Sequence, residues 1–172
     1  MARVGTLLSL LGLLSAAGGR VETRIRLQKE VYLLSLKYPR IFDSSDFEYH
    51  HYGPYSRFLS ENLQYAVSSG LIEEIDETPE DVSFTKYTYV LTEFGSKAIE
   101  ENPFDAPDFK EYVLRLQSEN WRTLELAATV KYLEMKEKLS REDAFSKALK
   151  LKPATSNFTS QAKSVLEFQD AA

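Results

Sequence analysis

The sequence predicts a mainly α-helical chain with a small antiparallel β-hairpin, an α+β fold with a winged-helix-like core and a C-terminal helical extension. Three observations carry this. Residues 49–72, YHHYGPYSRFLSENLQYAVSSGLI, read as an extended entry, a Gly53-Pro54 turn, one amphipathic helix and a Gly70 stop. Segments 71–75 and Tyr87–Leu91 then read as two strands around an acidic loop. Helical periodicity accounts for most of the remainder. Residues 1–102 are expected to form the core and 103–172 the extension, packed on it as a single compact domain.

Each element has its own reason. Leu7, Leu8, Leu10, Leu11, Leu13 and Leu14 follow Arg3, and Ser15-Ala16-Ala17-Gly18 comes next. A short signal-peptide core would look similar, yet Gly5, Ser9 and Gly12 interrupt the run and only one basic residue precedes it. A buried first helix is the preferred reading, with Val4, Leu7, Leu8, Leu11 and Leu14 inward and Gly18-Gly19 as its stop. Glu22 or Thr23 opens a second helix. Its apolar residues Ile25, Leu27, Val31, Tyr32, Leu34 and Leu36 spread around the axis, which implies burial on more than one side. Pro39 ends it, and 41–46 is a connector.

Ser56 is the expected N-cap of the next helix, with Phe58, Leu59, Leu63, Ala66 and Val67 on one face. After the hairpin, Thr92 caps a helix that Asn102-Pro103 closes. Pro107-Asp108 starts Phe109–Gln117. Residues 121–138 form a long helix, with Leu124, Ala127, Ala128, Val130, Lys131, Leu133 and Met135 drawn on for its inner face. Ser140 and Asp143 form a capping-type start for Arg141–Leu151. Pro153 ends that helix, and Thr155 or Ser156 opens a last one through Phe168.

Composition narrows the function classes. The formal net charge is −5, which weighs against a dedicated nucleic-acid binder. With no cysteine there are no disulfides, thiolate metal sites or cysteine nucleophiles, and a reducing, cytoplasmic setting is expected. His50 and His51 are adjacent, so in a strand they point to opposite faces and are poorly placed to share one metal ion with Asp46 or Glu48. No phosphate loop, dinucleotide fingerprint, HExxH or triad order occurs. The acids Glu73, Glu74, Asp76, Glu77, Glu80 and Asp81 lie in and around the hairpin loop and read as a solvated face. No catalytic, cofactor or metal site is expected, and no membrane association.

Several blocks together resemble a known family. Leu27-Gln28-Lys29-Glu30-Val31-Tyr32-Leu33-Leu34, Tyr52-Gly53-Pro54-Tyr55-Ser56 with Gly70-Leu71-Ile72, Tyr89-Val90-Leu91-Thr92 with Gly95, and 125–133 are similar to successive motifs of YwgA-like proteins. These are related to the SocA-like antitoxin (Panacea) domain. Glu30 departs from the pattern, which has an apolar residue there. The resemblance implies a prokaryotic or viral winged-helix-like protein. Its better understood relatives imply antitoxins, and adapters that present a toxin to a protease.

The expected function is therefore a non-enzymatic interaction protein that binds another protein, with a toxin or protease component as the implied partner. Tyrosine and arginine favour protein interfaces. Tyr49, Tyr55, Arg57 and Glu61 are the candidate partner-binding residues, while Phe47, Tyr52 and Phe58 are expected in the core. The alternative is a DNA-binding regulator using Arg24, Arg26, Lys29, Arg57 and Asn62. Helix 56–69 carries Arg57 as its single cation, too little to neutralise several phosphates.

Overall fold

The computed structural model describes residues 5–104 and 106–171. The first half runs α1 (Thr6–Ala16), β1 (Arg20–Glu22), α2 (Arg24–Lys37), β2 (Phe47–His50), β3 (Gly53–Ser56), α3 (Arg57–Ser68), β4 (Ile72–Asp76), β5 (Tyr87–Leu91) and α4 (Glu93–Glu101). The second half is helical: α5 (Phe109–Gln117), α6 (Trp121–Glu137), α7 (Arg141–Leu151), a 3-10 segment Pro153–Phe158 and α8 (Thr159–Asp170). The protein is mainly α with a small antiparallel β component, as the sequence predicts.

Two helices form the centre. Residues 27–35 of α2 and 123–130 of α6 are buried without a break, so each helix is enclosed on all sides. The fold is organised on α2 and α6, whereas α3 buries only Leu59, Leu63 and Ala66. One hydrophobic cluster includes Leu10, Leu33 and Leu63 together with Tyr112, Leu126 and Val165, so the core runs across residue 102. The leucine run of α1 is part of that core. Leu10, Leu11, Leu13 and Leu14 are all buried, while Leu7 and Leu8 are half-buried. Val4 lies outside the described residues. Gly18 and Gly19 follow as the helix stop, both at positive φ.

A three-stranded sheet, ordered β1-β5-β4, holds the acidic loop. The β4–β5 pairing matches the expected hairpin, with Ile72 opposite Leu91 and Asp76 opposite Tyr87. Strand β1 is an addition: Val21 pairs with Tyr89, and both are fully buried. A second, separate hairpin pairs β2 with β3, Tyr49 opposite Pro54 and His50 opposite Gly53. Its turn is His51-Tyr52, so Gly53-Pro54 begins the return strand.

Capping follows the sequence closely. Ser56, Thr92 and Ser140 each accept a hydrogen bond from the backbone N–H three residues on, at 3.0–3.1 Å. Corrections fall on aromatic and sulfur side chains. Phe58 and Tyr52, expected in the core, are 49% and 51% exposed, and Met135 is also exposed. Phe47 is buried, its ring 5.0 Å from Tyr32. The last helix starts at Thr159, because Pro153 initiates a tighter 3-10 turn first.

Candidate functional site

Where α2 meets the β2–β3 hairpin there is an open pocket of about 220 Å3. Arg24, Ile25, Gln28 and Lys29 line it from one side of α2, and His50, His51, Tyr52 and Tyr55 from the hairpin. Spacings of three and four residues, Arg24 to Gln28, Ile25 to Gln28 and Ile25 to Lys29, put the α2 positions along one side of the helix. Thr23 starts that helix by accepting from the Arg26 N–H at 3.2 Å.

The polar run Gln28-Lys29-Glu30 sits in the most buried part of the molecule, where each group needs a partner. Gln28 treats Ser56 as a strand neighbour would. Its Oε1 accepts from the Ser56 N–H at 2.8 Å, and its Nε2 donates to the Ser56 carbonyl at 2.9 Å. The same Nε2 lies 3.0 Å from Ser60 Oγ. Lys29 Nζ donates to the Pro54 carbonyl at 2.9 Å. Burial pushes its pKa down to about 7, with Glu125 opposing and Lys152 reinforcing the drop. Glu30 faces elsewhere. Gln117 Nε2 donates to both of its carboxylate oxygens at 2.7 Å, and Arg26 lies 3.4 Å away. Burial pushes this carboxyl up to about 7 against those two partners.

The hairpin is also held from the C-terminal half. The Lys152 ammonium donates to the His51 carbonyl and lies 5.2 Å from the centre of the Tyr49 ring. Its pKa is lowered, chiefly by burial. Behind Lys29, buried Glu125 accepts from Arg122 Nη1 at 2.9 Å. Gly53 has φ +91°, and a Cβ there would lie 2.8 Å from Thr129 Oγ1 and 3.5 Å from Lys29 Cε. The strand backbone therefore runs directly against α6.

The expected partner residues divide between this hairpin and α3. Tyr49 is 38% exposed and packs on Tyr132 at 5.9 Å. Tyr55 is half-buried, its ring 4.7 Å from His50. Arg57 and Glu61 are exposed and bonded to each other at 3.0 Å. The outward side of α3 also carries exposed Phe58, Gln64 and Tyr65. Phe58 and Tyr65 are seven residues apart, two turns along one stripe.

The residues expected to meet nucleic acid are differently placed. Arg24 Nε donates to Tyr89 Oη at 2.6 Å and Nη2 to Glu74 at 3.0 Å, which ties α2 to the sheet. Arg26 donates to the carbonyls of Leu116 and Glu119 at 3.2 and 2.5 Å, a cation at the C-terminal end of α5. Asn62 Nδ2 donates to the Phe58 carbonyl of its own helix. Lys29 is 2% exposed. Arg26 and Lys29 thus turn their charge inward, to carbonyls that need donors, and this corrects their reading as phosphate contacts.

Sequence reasoning missed the structural work of Gln28, Lys152 and Glu125. The signal was present for Gln28: a polar triplet inside a helix that must bury more than one side. Its partners were hidden because they lie far off in sequence, as Lys152 does from His51.

No family model matches the chain. A curated relative, Uncharacterized protein YwgA of Bacillus subtilis (strain 168), is 30% identical over 129 residues, covering 74% of this chain and 75% of the relative. Among the described residues, no helix is long and apolar enough to cross a membrane.

Proposed function

Since the chain belongs to the YwgA family, we propose that it is a cytoplasmic, non-enzymatic interaction protein that docks a partner protein through the β2–β3 hairpin and the outward face of α3. The observation that carries this is the chemistry of that face. Phe58 and Tyr65 stand exposed along one stripe, and Arg57 is matched by Glu61. Exposed aromatics beside a neutralised cation favour protein contact, whereas phosphate affinity needs several unmatched cations. The observed order α1-β1-α2-β2-β3-α3-β4-β5 differs by the β2–β3 hairpin from the helix-strand-helix-helix-strand-strand order of a winged helix, and the remainder supports the winged-helix reading that the SocA-like resemblance implies. On that analogy the partner is a toxin or a protease component.

The same order supports a second reading, a DNA-binding regulator that presents α3 to the major groove. The two separate in one experiment. Tagged protein is purified from its native host with and without nuclease. A nuclease-resistant protein partner that is lost on Tyr55→Ala with Arg57→Ala, at unchanged Tm, is the expected result. Nuclease-sensitive recovery of DNA, with affinity falling steeply between low and moderate salt, would hand the assignment to the regulator.

A further inference from the structure

Resting on the protein-docking reading, we propose that the pocket between α2 and the hairpin receives a single aromatic side chain, Phe or Tyr, from the partner protein. The α2 wall argues for it first. Its polar residues all have their heads committed elsewhere. Arg24 donates to Tyr89 Oη and to Glu74, Gln28 is bonded through both ends of its amide to Ser56, and Lys29 is drawn in to the Pro54 carbonyl. What these chains offer the pocket is their methylene stems, beside the half-buried Ile25. The accessible lining is accordingly almost wholly apolar. A polar or charged group entering it would lose water without gaining a partner.

The hairpin wall narrows the choice. It supplies four rings, from His50, His51, Tyr52 and Tyr55, with His50 and Tyr55 packed at 4.7 Å. Rings pair by offset or edge contacts that add to plain burial, so an aromatic occupant gains over an aliphatic one. Size agrees. An apolar cavity of about 150 Å3 takes one benzene ring, and drug-sized ligands need about 300 Å3 or more. This pocket has about 220 Å3.

Two arguments place the ring on a protein. A site for a free small molecule fixes its ligand with a few directed polar groups, and here those of α2 are already spent. A side chain, by contrast, arrives oriented by its own backbone. The pocket also continues into the docking face. Tyr52 lines it and is half exposed, and the strand Gly53–Ser56 leads from Tyr52 directly to α3, where Phe58 is exposed to the same degree. Four strand residues span about 13 Å, well within a single protein interface. A second copy of the chain is less suited, because two molecules that each carry a formal charge of −5 repel.

The test titrates isotope-labelled full-length protein, followed by amide NMR, with four probes: N-acetyl-tyrosine N-methylamide, its leucine and glutamate counterparts, and p-cresol. The expected result is saturable shifts at Ile25, Gln28, His50 and Tyr55 with the tyrosine probe. The leucine probe should bind about fivefold more weakly, the margin that ring pairing adds, and the glutamate probe should leave the spectrum unchanged. Ile25→Glu should abolish the shifts, its carboxylate standing in the first turn of α2 where it favours the helix. Exposed Tyr52→Ser should weaken them, and both variants should keep the wild-type Tm. Equal binding of the leucine probe, preferred binding of the glutamate probe, or no shifts at all overturns the aromatic assignment. Shifts with p-cresol while the tyrosine probe is excluded would make the occupant a free small aromatic and overturn the partner-borne one. Self-association in sedimentation that Ile25→Glu abolishes would make it a second copy, with the same consequence. A partner captured through Tyr55 and Arg57 whose affinity ignores both Ile25→Glu and Tyr52→Ser sinks this inference alone; failure to capture any protein sinks the docking reading itself.

Discussion

Gly53 shows how much one residue carries. Its φ of +91° is costly for any side chain, and the facing Thr129 hydroxyl leaves no room for a methyl group. Gly18 has a similar φ of +87° with nothing within 4 Å of a Cβ. Gly18→Ala should therefore cost about 1 kcal/mol from backbone strain alone, and Gly53→Ala about 2–3 kcal/mol. Urea unfolding of the pair reads the difference, and equal losses would mean that the strand does not press on α6. The neighbours Lys29 and Glu30 predict an unusual pH profile. Glu30 holds its proton up to about 7 when folded, against 4.5 when unfolded. The native state binds more protons over that interval, so stability falls as pH rises through it. Lys29 loses its proton near 7 when folded and at 10.5 when unfolded. There the unfolded chain binds more protons, so stability climbs again. A minimum near pH 7 is expected in denaturant titrations. Glu30→Gln should flatten the acid limb and Lys29→Met the alkaline one; a wild-type profile level across both limbs would show that neither charge is buried in solution.

At the scale of elements, α3 was legible as a helix but only partly legible as a surface. Its Ser56 cap and the Leu59-Leu63-Ala66 spacing are local signals. Phe58 and Val67 also fit the apolar stripe by spacing, yet Phe58 faces water, because what covers a helix flank is decided by distant parts of the chain. Phe58→Ser with Tyr65→Ser should change stability by no more than about 0.5 kcal/mol per site, whereas Leu63→Ala should cost about 2–4 kcal/mol. Thermal melts check both; a large loss from the first pair would make those rings structural. Strands β4 and β5 were readable from alternation and from the turn-rich loop between them. Strand β1 was not, since three residues with one apolar side chain carry no period of their own. Its strand character comes from pairing with β5.

Over the whole molecule, the order of helices was recoverable because caps and prolines punctuate the chain. The pocket was not, because it is made by contacts between segments distant in sequence. Gln28 reaches Ser56, Arg24 reaches Tyr89, and Lys152 reaches His51. Motifs that looked like separate signatures, LQKE and YGPYS, prove to be two halves of one bonded unit. The Lys152 bond has a consequence for synthesis. A nascent chain that has cleared the ribosome only as far as α6 holds the complete hairpin sequence, yet lacks the ammonium that pins its turn. The turn should consequently be pinned late in translation, only once residue 152 has emerged, so that a nascent chain carries an unfastened hairpin for most of its synthesis.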